Sequence, residues 1–181
     1  MKPILLASIL LSSLSLANAA TYTIDSHHTN ARFSTLHNNT SSNVGGFFML
    51  DGTVEFDLSK KNGSVDVIIP INKLNSGNPD FDKHLKTPDF FNIDQFPEMR
   101  FKSDKFVFNG DKLDEVHGDL TILGKTKHIV LKAKNFNCYQ NKMVNKEACG
   151  GDFTAQIKPT DWGFRAPNDA KIKIQIEAFK Q

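Results

Sequence analysis

Apolar residues recur at every second position through most of this chain. Val54, Phe56 and Leu58 alternate with Thr53, Glu55 and Asp57. Val65, Val67, Ile69 and Ile71 keep the same spacing, as do Ile172, Ile174 and Ile176 among Lys171, Lys173 and Gln175. Phe153, Ala155 and Ile157 fit it, and so do Leu120 and Ile122. A period of two buries one face of a strand and wets the other, which no helix of period 3.6 can do. About eight such segments at short intervals predict a β-sandwich or barrel.

One turn can be read closely. Gly124-Lys125 separates Thr121-Ile122-Leu123 from a run ending at Lys132. Glycine first in a two-residue turn suits a type II′ hairpin. That register sets His128 opposite Thr121 and His117 opposite Lys132, so these two histidines do not face each other.

The strand rhythm breaks between Asn78 and Ser103. Asn78 caps a helix that carries Pro79 in its first turn. Phe81 and Leu85, four apart, share one face of it. Thr87-Pro88-Asp89 repeats the start signal, so one or two short helices are expected. Phe90, Phe91, Phe96 and Phe101 make the stretch too apolar for a solvated loop, and Pro88 and Pro97 forbid one long helix across it. Such a segment must cover something apolar.

The start of the chain reads as an export signal. Lys2 precedes an apolar run from Ile4 to Leu16, and Ala17-Asn18-Ala19 is a small-x-small cleavage site. The run is too short to span a bilayer, and no later run is long enough to be a membrane helix. Cleavage after Ala19 leaves residues 20–181, a length that fits one domain. Without Lys2 the net charge falls from +2 to +1, and such near-neutrality gives no support for nucleic acid as a partner. Cys138 and Cys149 are the only two cysteines. An exported chain is expected to pair them, for a closure gain of roughly 2–3 kcal/mol. A reactive thiol pair would lack its usual C-x-x-C spacing.

No catalytic set stands out. The chain has no G-x-S-x-G elbow, no phosphate-cradling glycine loop and no dinucleotide fingerprint. Asp25-Ser26-His27 and Asp161-Trp162-Gly163 match turn chemistry rather than a catalytic spacing. His27 and His28, if on a strand, point to opposite faces, and no H-E-x-x-H pair exists, so no metal is expected. Asn38-Asn39-Thr40-Ser41 reads as a polar hairpin tip. His37 shares a strand face with Ala31, Phe33 and Thr35, either as a satisfied core-edge residue or as a donor at a pocket mouth.

Fifteen phenylalanines against two tyrosines and one tryptophan make a skewed aromatic set. Phenylalanine carries apolar area without a hydrogen-bonding handle. It can fill a core, or it can line a cavity in a small closed barrel that holds one ligand.

The order of segments resembles the YceI-like family of exported, lipocalin-like proteins that bind polyisoprenoids. Tyr22-Thr-Ile-Asp-Ser-His27, Ala31-Arg-Phe-Ser-Thr-Leu-His37, Val44-Gly-Gly-Phe47 and Asp51-Gly-Thr-Val-Glu-Phe56 carry the likeness. His84-Leu85 through Asp89-Phe-Phe91, Phe96-Pro97 to Phe101-Lys-Ser103, Gly118 to Thr126 and Asp161-Trp-Gly-Phe164 continue it in order. Ser76-Gly77 stands where the family often has Thr-Gly. Phe81 stands where it commonly has an arginine, followed here by the acid Asp82.

The resemblance implies an extended antiparallel β-barrel, with helix packed at its side and an elongated apolar tunnel for an isoprenoid tail. It tips the phenylalanines toward a lined cavity. Phe33, Phe47, Phe56, Phe90, Phe91, Phe101 and Trp162 are the expected tunnel or mouth contacts, with His37 at the polar end. The expected ligand is an isoprenoid quinone or polyprenyl phosphate in the periplasm, with no cofactor besides the lipid. A general carrier of fatty acids or fatty amides would have the same tunnel, and an enzyme would add converging polar groups. Members of the family can pair as dimers.

Overall fold

The computed structural model describes residues 19–181; the expected export signal lies almost wholly outside them. Eleven strands form one antiparallel sheet. They are β1 (Ala20–Ile24), β2 (Asn30–His37), β3 (Ser41–Phe48), β4 (Asp51–Asp57), β5 (Asn62–Pro70), β6 (Leu74–Asn75), β7 (Glu98–Asn109), β8 (Lys112–Ile122), β9 (Lys125–Asn141), β10 (Lys146–Ile157) and β11 (Ala170–Lys180).

Eight of these close a barrel in the order β1-β4-β5-β7-β8-β9-β10-β11, and β11 pairs back onto β1. The other three prolong it at one end. Strand β11 pairs β1 at Ile24↔Ala178 and β2 at Thr35↔Ala170, so β1 and β2 are two halves of one bent path. Strands β3 and β4 repeat this beside them, and β6 pairs only two residues of β3. The eight alternating segments of the sequence are therefore eight paths, three of them broken into shorter strands. Leu58 falls outside β4, in a turn, and is 51% exposed.

Between β6 and β7 the sheet does not continue. The chain fills that side with one helix, α1 (Pro79–Leu85), followed by turns rather than a second helix. Asn78 Oδ1 accepts the backbone N–H groups of Asp80 and Phe81 at 3.0 and 3.3 Å, the capping that the sequence signals. Leu85 is buried and Phe81 half-buried on the inward face. Past the helix, Phe91 N–H donates to the Leu85 carbonyl at 3.0 Å, which turns the two phenylalanines back toward the sheet.

The β8–β9 hairpin differs from expectation. Leu123 and Gly124 both take positive φ, +49° and +68°, so the turn is type I′ and sits one residue earlier. Every pairing moves with it: His128 faces Asp119, and His117 faces Val130. The two rings become diagonal neighbours with centroids 5.9 Å apart on the outer face. Each also holds a carboxylate, His117 that of Glu115 at 2.7 Å and His128 that of Asp119 at 3.2 Å. His27 and His28 lie in a turn, not on a strand, and His28 Nδ1 meets Asp25 Oδ2 at 2.6 Å. Among the described residues no group of three or more potential ligands is placed to hold a metal ion.

Cys138 and Cys149 are directly opposite on β9 and β10 and form a disulfide, with Cα atoms 4.1 Å apart.

Candidate ligand cavity

The barrel interior is not filled. On β11 the inward row Ile172, Ile174 and Ile176 is only half-buried, although it alternates with the outward Lys171 and Lys173. Ile129, Phe33, Phe90, Phe91 and Phe164 are likewise half-buried while packed against the core. Inward side chains stay partly exposed only when they face space instead of neighbours. That space is a cavity of about 810 Å³, inside the range of about 300–1,000 Å³ usual for small-molecule sites.

Phenylalanines shape its lower end. Phe56 packs against Phe106, Phe108 and Phe136, with centroids 5.9, 6.3 and 5.1 Å away. The register places all four toward the ends of β4, β7 and β9 that are remote from the β2–β3 hairpin. Tyr22 joins them. Its hydroxyl donates to Glu147 Oε1 at 2.6 Å. Burial, together with that carboxylate, pushes its pKa up to about 12. Glu147 in turn is lowered by the hydrogen bonds from Tyr22 and Lys180.

A second chain of rings runs along the side that α1 covers. Phe33 meets Phe47 at 6.2 Å, Phe47 meets Phe91 edge-on at 5.2 Å, and Phe91 meets Phe164 edge-on at 5.1 Å. Glycine makes room for the Phe33 ring: a Cβ on Gly45, its cross-strand partner, would lie 2.7 Å from Phe33 Cζ. A Cβ on Gly118 would lie 2.6 Å from Phe101 Cζ. Trp162 is 2% exposed and donates its indole N–H to the Leu120 carbonyl at 3.2 Å.

The mouth is polar. Thr35, His37, Asn38, Asn39, Asn43 and Asn168 line the cavity where the β2–β3 hairpin ends. His37 is exposed rather than a core-edge residue. Of the described buried side-chain polar atoms, Asn30 Oδ1 and Thr35 Oγ1 have no hydrogen-bond partner, and only Thr35 belongs to the cavity lining. An unpartnered buried hydroxyl costs about 1–3 kcal/mol, which a ligand's polar group could recover. Among the described residues Arg32 is the one permanently charged residue that borders the cavity, and no Lys, Asp or Glu does. Phe81 lines it too, while Asp82 turns away and accepts the Ser76 N–H at 2.7 Å.

Phe33, His37, Phe47, Phe56, Phe90, Phe91, Phe101 and Trp162, the eight residues singled out from the sequence, all border this one cavity. The sequence reading missed Tyr22, Thr35, Phe81, Phe106, Phe136 and Phe164, which border it as well. Thr35 was legible from its place between Phe33 and His37 on one strand face. The lower phenylalanines were not, because their meeting depends on barrel closure.

A closed antiparallel barrel around an apolar chamber with a polar rim defines a ligand-enclosing β-barrel. The chain belongs to the YceI-like family: residues 22–178 match the family described as YceI-like domain. A UPF0312 protein of Shewanella denitrificans is 34% identical over 192 residues, covering 100% of both chains. Protein YceI of Salmonella newport is 33% identical over 186 residues, 97% of this chain and 95% of that one. Among solved structures, the YCEI protein of Campylobacter jejuni is 28% identical with a TM-score of 0.70, covering 81% of this chain and 90% of that one. A polyisoprenoid binding domain from Saccharophagus degradans shares the fold at 11% identity and a TM-score of 0.64, over 90% of this chain and 99% of that one.

Proposed function

We propose that this chain is a periplasmic, non-enzymatic carrier that encloses a long-chain isoprenoid lipid, an isoprenoid quinone or a polyprenyl phosphate. The unfilled, phenylalanine-lined interior carries this reading. Each methylene removed from water is worth about 0.8 kcal/mol, so a prenyl tail is nearly insoluble in an aqueous compartment. A chamber of about 810 Å³ lined mostly by apolar side chains, with Arg32 its one permanently charged lining residue among those described, suits such a tail. The asparagines of the rim, Thr35 and His37 would meet the head group. Membership in the YceI-like family, and a structural neighbour that is itself a polyisoprenoid binding domain, support the same assignment.

Enzymatic chemistry on the lipid is the weaker reading. It needs polar groups converging inside the chamber, but Thr35, His37 and the asparagines gather at the rim while the Tyr22 hydroxyl, at the other end, is held by Glu147. Export would follow from cleavage after Ala19. The disulfide suits an oxidising compartment, and no described helix is long and apolar enough to cross a membrane.

Native mass spectrometry of the protein purified from periplasm tests this reading and also records any pairing of chains. A bound prenyl lipid, identified after extraction, is the expected result. Protein that carries no lipid and takes up no added quinone would overturn it. A fatty acid or fatty amide in its place would establish the general amphiphile carrier.

A further inference from the structure

We propose that the outer face of the β2–β3 hairpin, beside the cavity mouth, docks on an anionic lipid bilayer. Leu36, Val44, Phe48 and Met49 are 48%, 55%, 39% and 41% exposed, and all four lie in or directly after these two strands. Alternation assigns the first three side chains to the outside: Phe33, Thr35 and Phe47 face the cavity, whereas Leu36, Val44 and Phe48 occupy the intervening positions; Leu36 and Arg32 also border the cavity, Val44 and Phe48 do not. Exposed apolar side chains gathered in this way mark an interaction surface.

The same face is basic. Ser34 pairs with Val44 on one side and Lys171 on the other, and Arg32 pairs with Gly46 and Lys173. Directly opposed residues share a face, so each row runs from the hairpin to a cation on β11. The two features touch: a Cβ on Gly46 would lie 3.0 Å from Arg32 Cγ and 3.1 Å from Phe48 Cε2. Arg32 and Lys173 are like charges directly across from each other, an arrangement that disfavours the isolated fold. Among the described residues none of Arg32, Lys171 and Lys173 makes an ion pair. The Asp169 carboxylate, close by in sequence, accepts from Gln156 Nε2 at 2.7 Å instead.

Exposed apolar residues flanked by unpaired cations match an interface of acyl chains under anionic headgroups. A second copy of the chain fits poorly, because a two-fold contact through this face would bring the cations against themselves. The position also has a use: Leu36 precedes His37 at the rim, so a docked hairpin holds the mouth against the membrane. This extends the carrier reading, but the test uses no cargo, so either can fail alone.

The probe is sedimentation of the full mature chain with vesicles of phosphatidylethanolamine and phosphatidylglycerol, against vesicles of phosphatidylcholine, at low salt. Binding to the anionic vesicles only is expected. Each lysine near an anionic surface is worth about fivefold, so Lys171→Glu with Lys173→Glu should weaken binding by roughly 25-fold or more. Val44→Ser with Phe48→Ser should weaken it by at least about tenfold. None of these four side chains lines the cavity. Neither variant should melt below wild type, and Lys173→Glu, which relieves the repulsion with Arg32, should if anything melt higher; if one pair melts lower, the other decides. The proposal is overturned by a wild-type chain that ignores vesicles or binds both kinds equally. It is equally overturned by a folded variant that binds as wild type, or by a face that instead joins two chains.

Discussion

Filling the cavity should weaken binding without weakening the fold. Ile174 and Ile176 point inward from β11 and are half-buried, with Ala31 and Phe153 opposite Ile174 on its two neighbours. Take the double substitution Ile174→Phe with Ile176→Phe. In a close-packed core each enlargement typically costs about 1–3 kcal/mol, so the pair would lose about 2–6 kcal/mol. Into an open chamber of about 810 Å³ the rings can rotate freely and bury apolar surface. Cavity filling commonly gains about 0.5–2 kcal/mol, so the expected change lies between zero and that gain. The rings also occupy space that a tail would use. If they displace about three to four methylenes, binding weakens by about 2.4–3.2 kcal/mol, or roughly 60- to 200-fold. Urea unfolding gives the first quantity and quinone titration the second. A loss of more than about 2 kcal/mol in stability, with cargo binding intact, would show a filled core and refute the reasoning.

Four other outcomes follow from the same structure. Tyr22 has a raised pKa of about 12 in the fold against 10.0 when unfolded. Its stabilising effect is therefore complete below about pH 10 and disappears as pH rises through about 12, so the stability advantage of wild type over Tyr22→Phe should shrink across that window in alkaline unfolding series. Glu147, held below its usual range, loses its contribution at the acid end as pH falls through its folded pKa. Replacing Cys138 and Cys149 together by serine should cost roughly 2–3 kcal/mol by chemical unfolding, because the disulfide closes a short loop; no loss would mean that the hairpin alone fixes those strands. Phe90→Ser with Phe91→Ser should reduce lipid retention more than it reduces melting temperature, since both rings border the cavity and are half-buried; equal loss of both would make the segment ordinary core.

Much of this architecture is legible in the sequence. Alternation at Val65, Val67 and Ile69 gave a strand whose three side chains are buried, and Asn78-Pro79 gave the helix start. The apolar stretch after it does cover the barrel side where β6 and β7 fail to pair. Local pattern did not reveal how strands bend. Asp25 to Thr29 and Met49-Leu50 interrupt two paths whose hydrophobic rhythm continues across the break. The β8–β9 register failed for a definite reason: leucine rarely adopts positive φ, so Leu123 was not an obvious turn residue. One residue of slip then misplaced both His117 and His128. The cavity itself could not be read from composition, because a phenylalanine lining a chamber and one filling a core obey the same strand pattern. Only the half-exposure of inward residues such as Ile172 and Ile174 separates the two.

The central claim is that apolar burial inside the barrel drives binding. Trp162, the single tryptophan, borders the cavity and is a built-in reporter of occupancy. Titrating quinones that share one head group but differ in prenyl length, and following Trp162 fluorescence, tests the claim directly. Saturable quenching is expected, with affinity rising up to about fourfold for each added methylene equivalent until the chamber is full. An affinity that does not change with tail length would contradict the account.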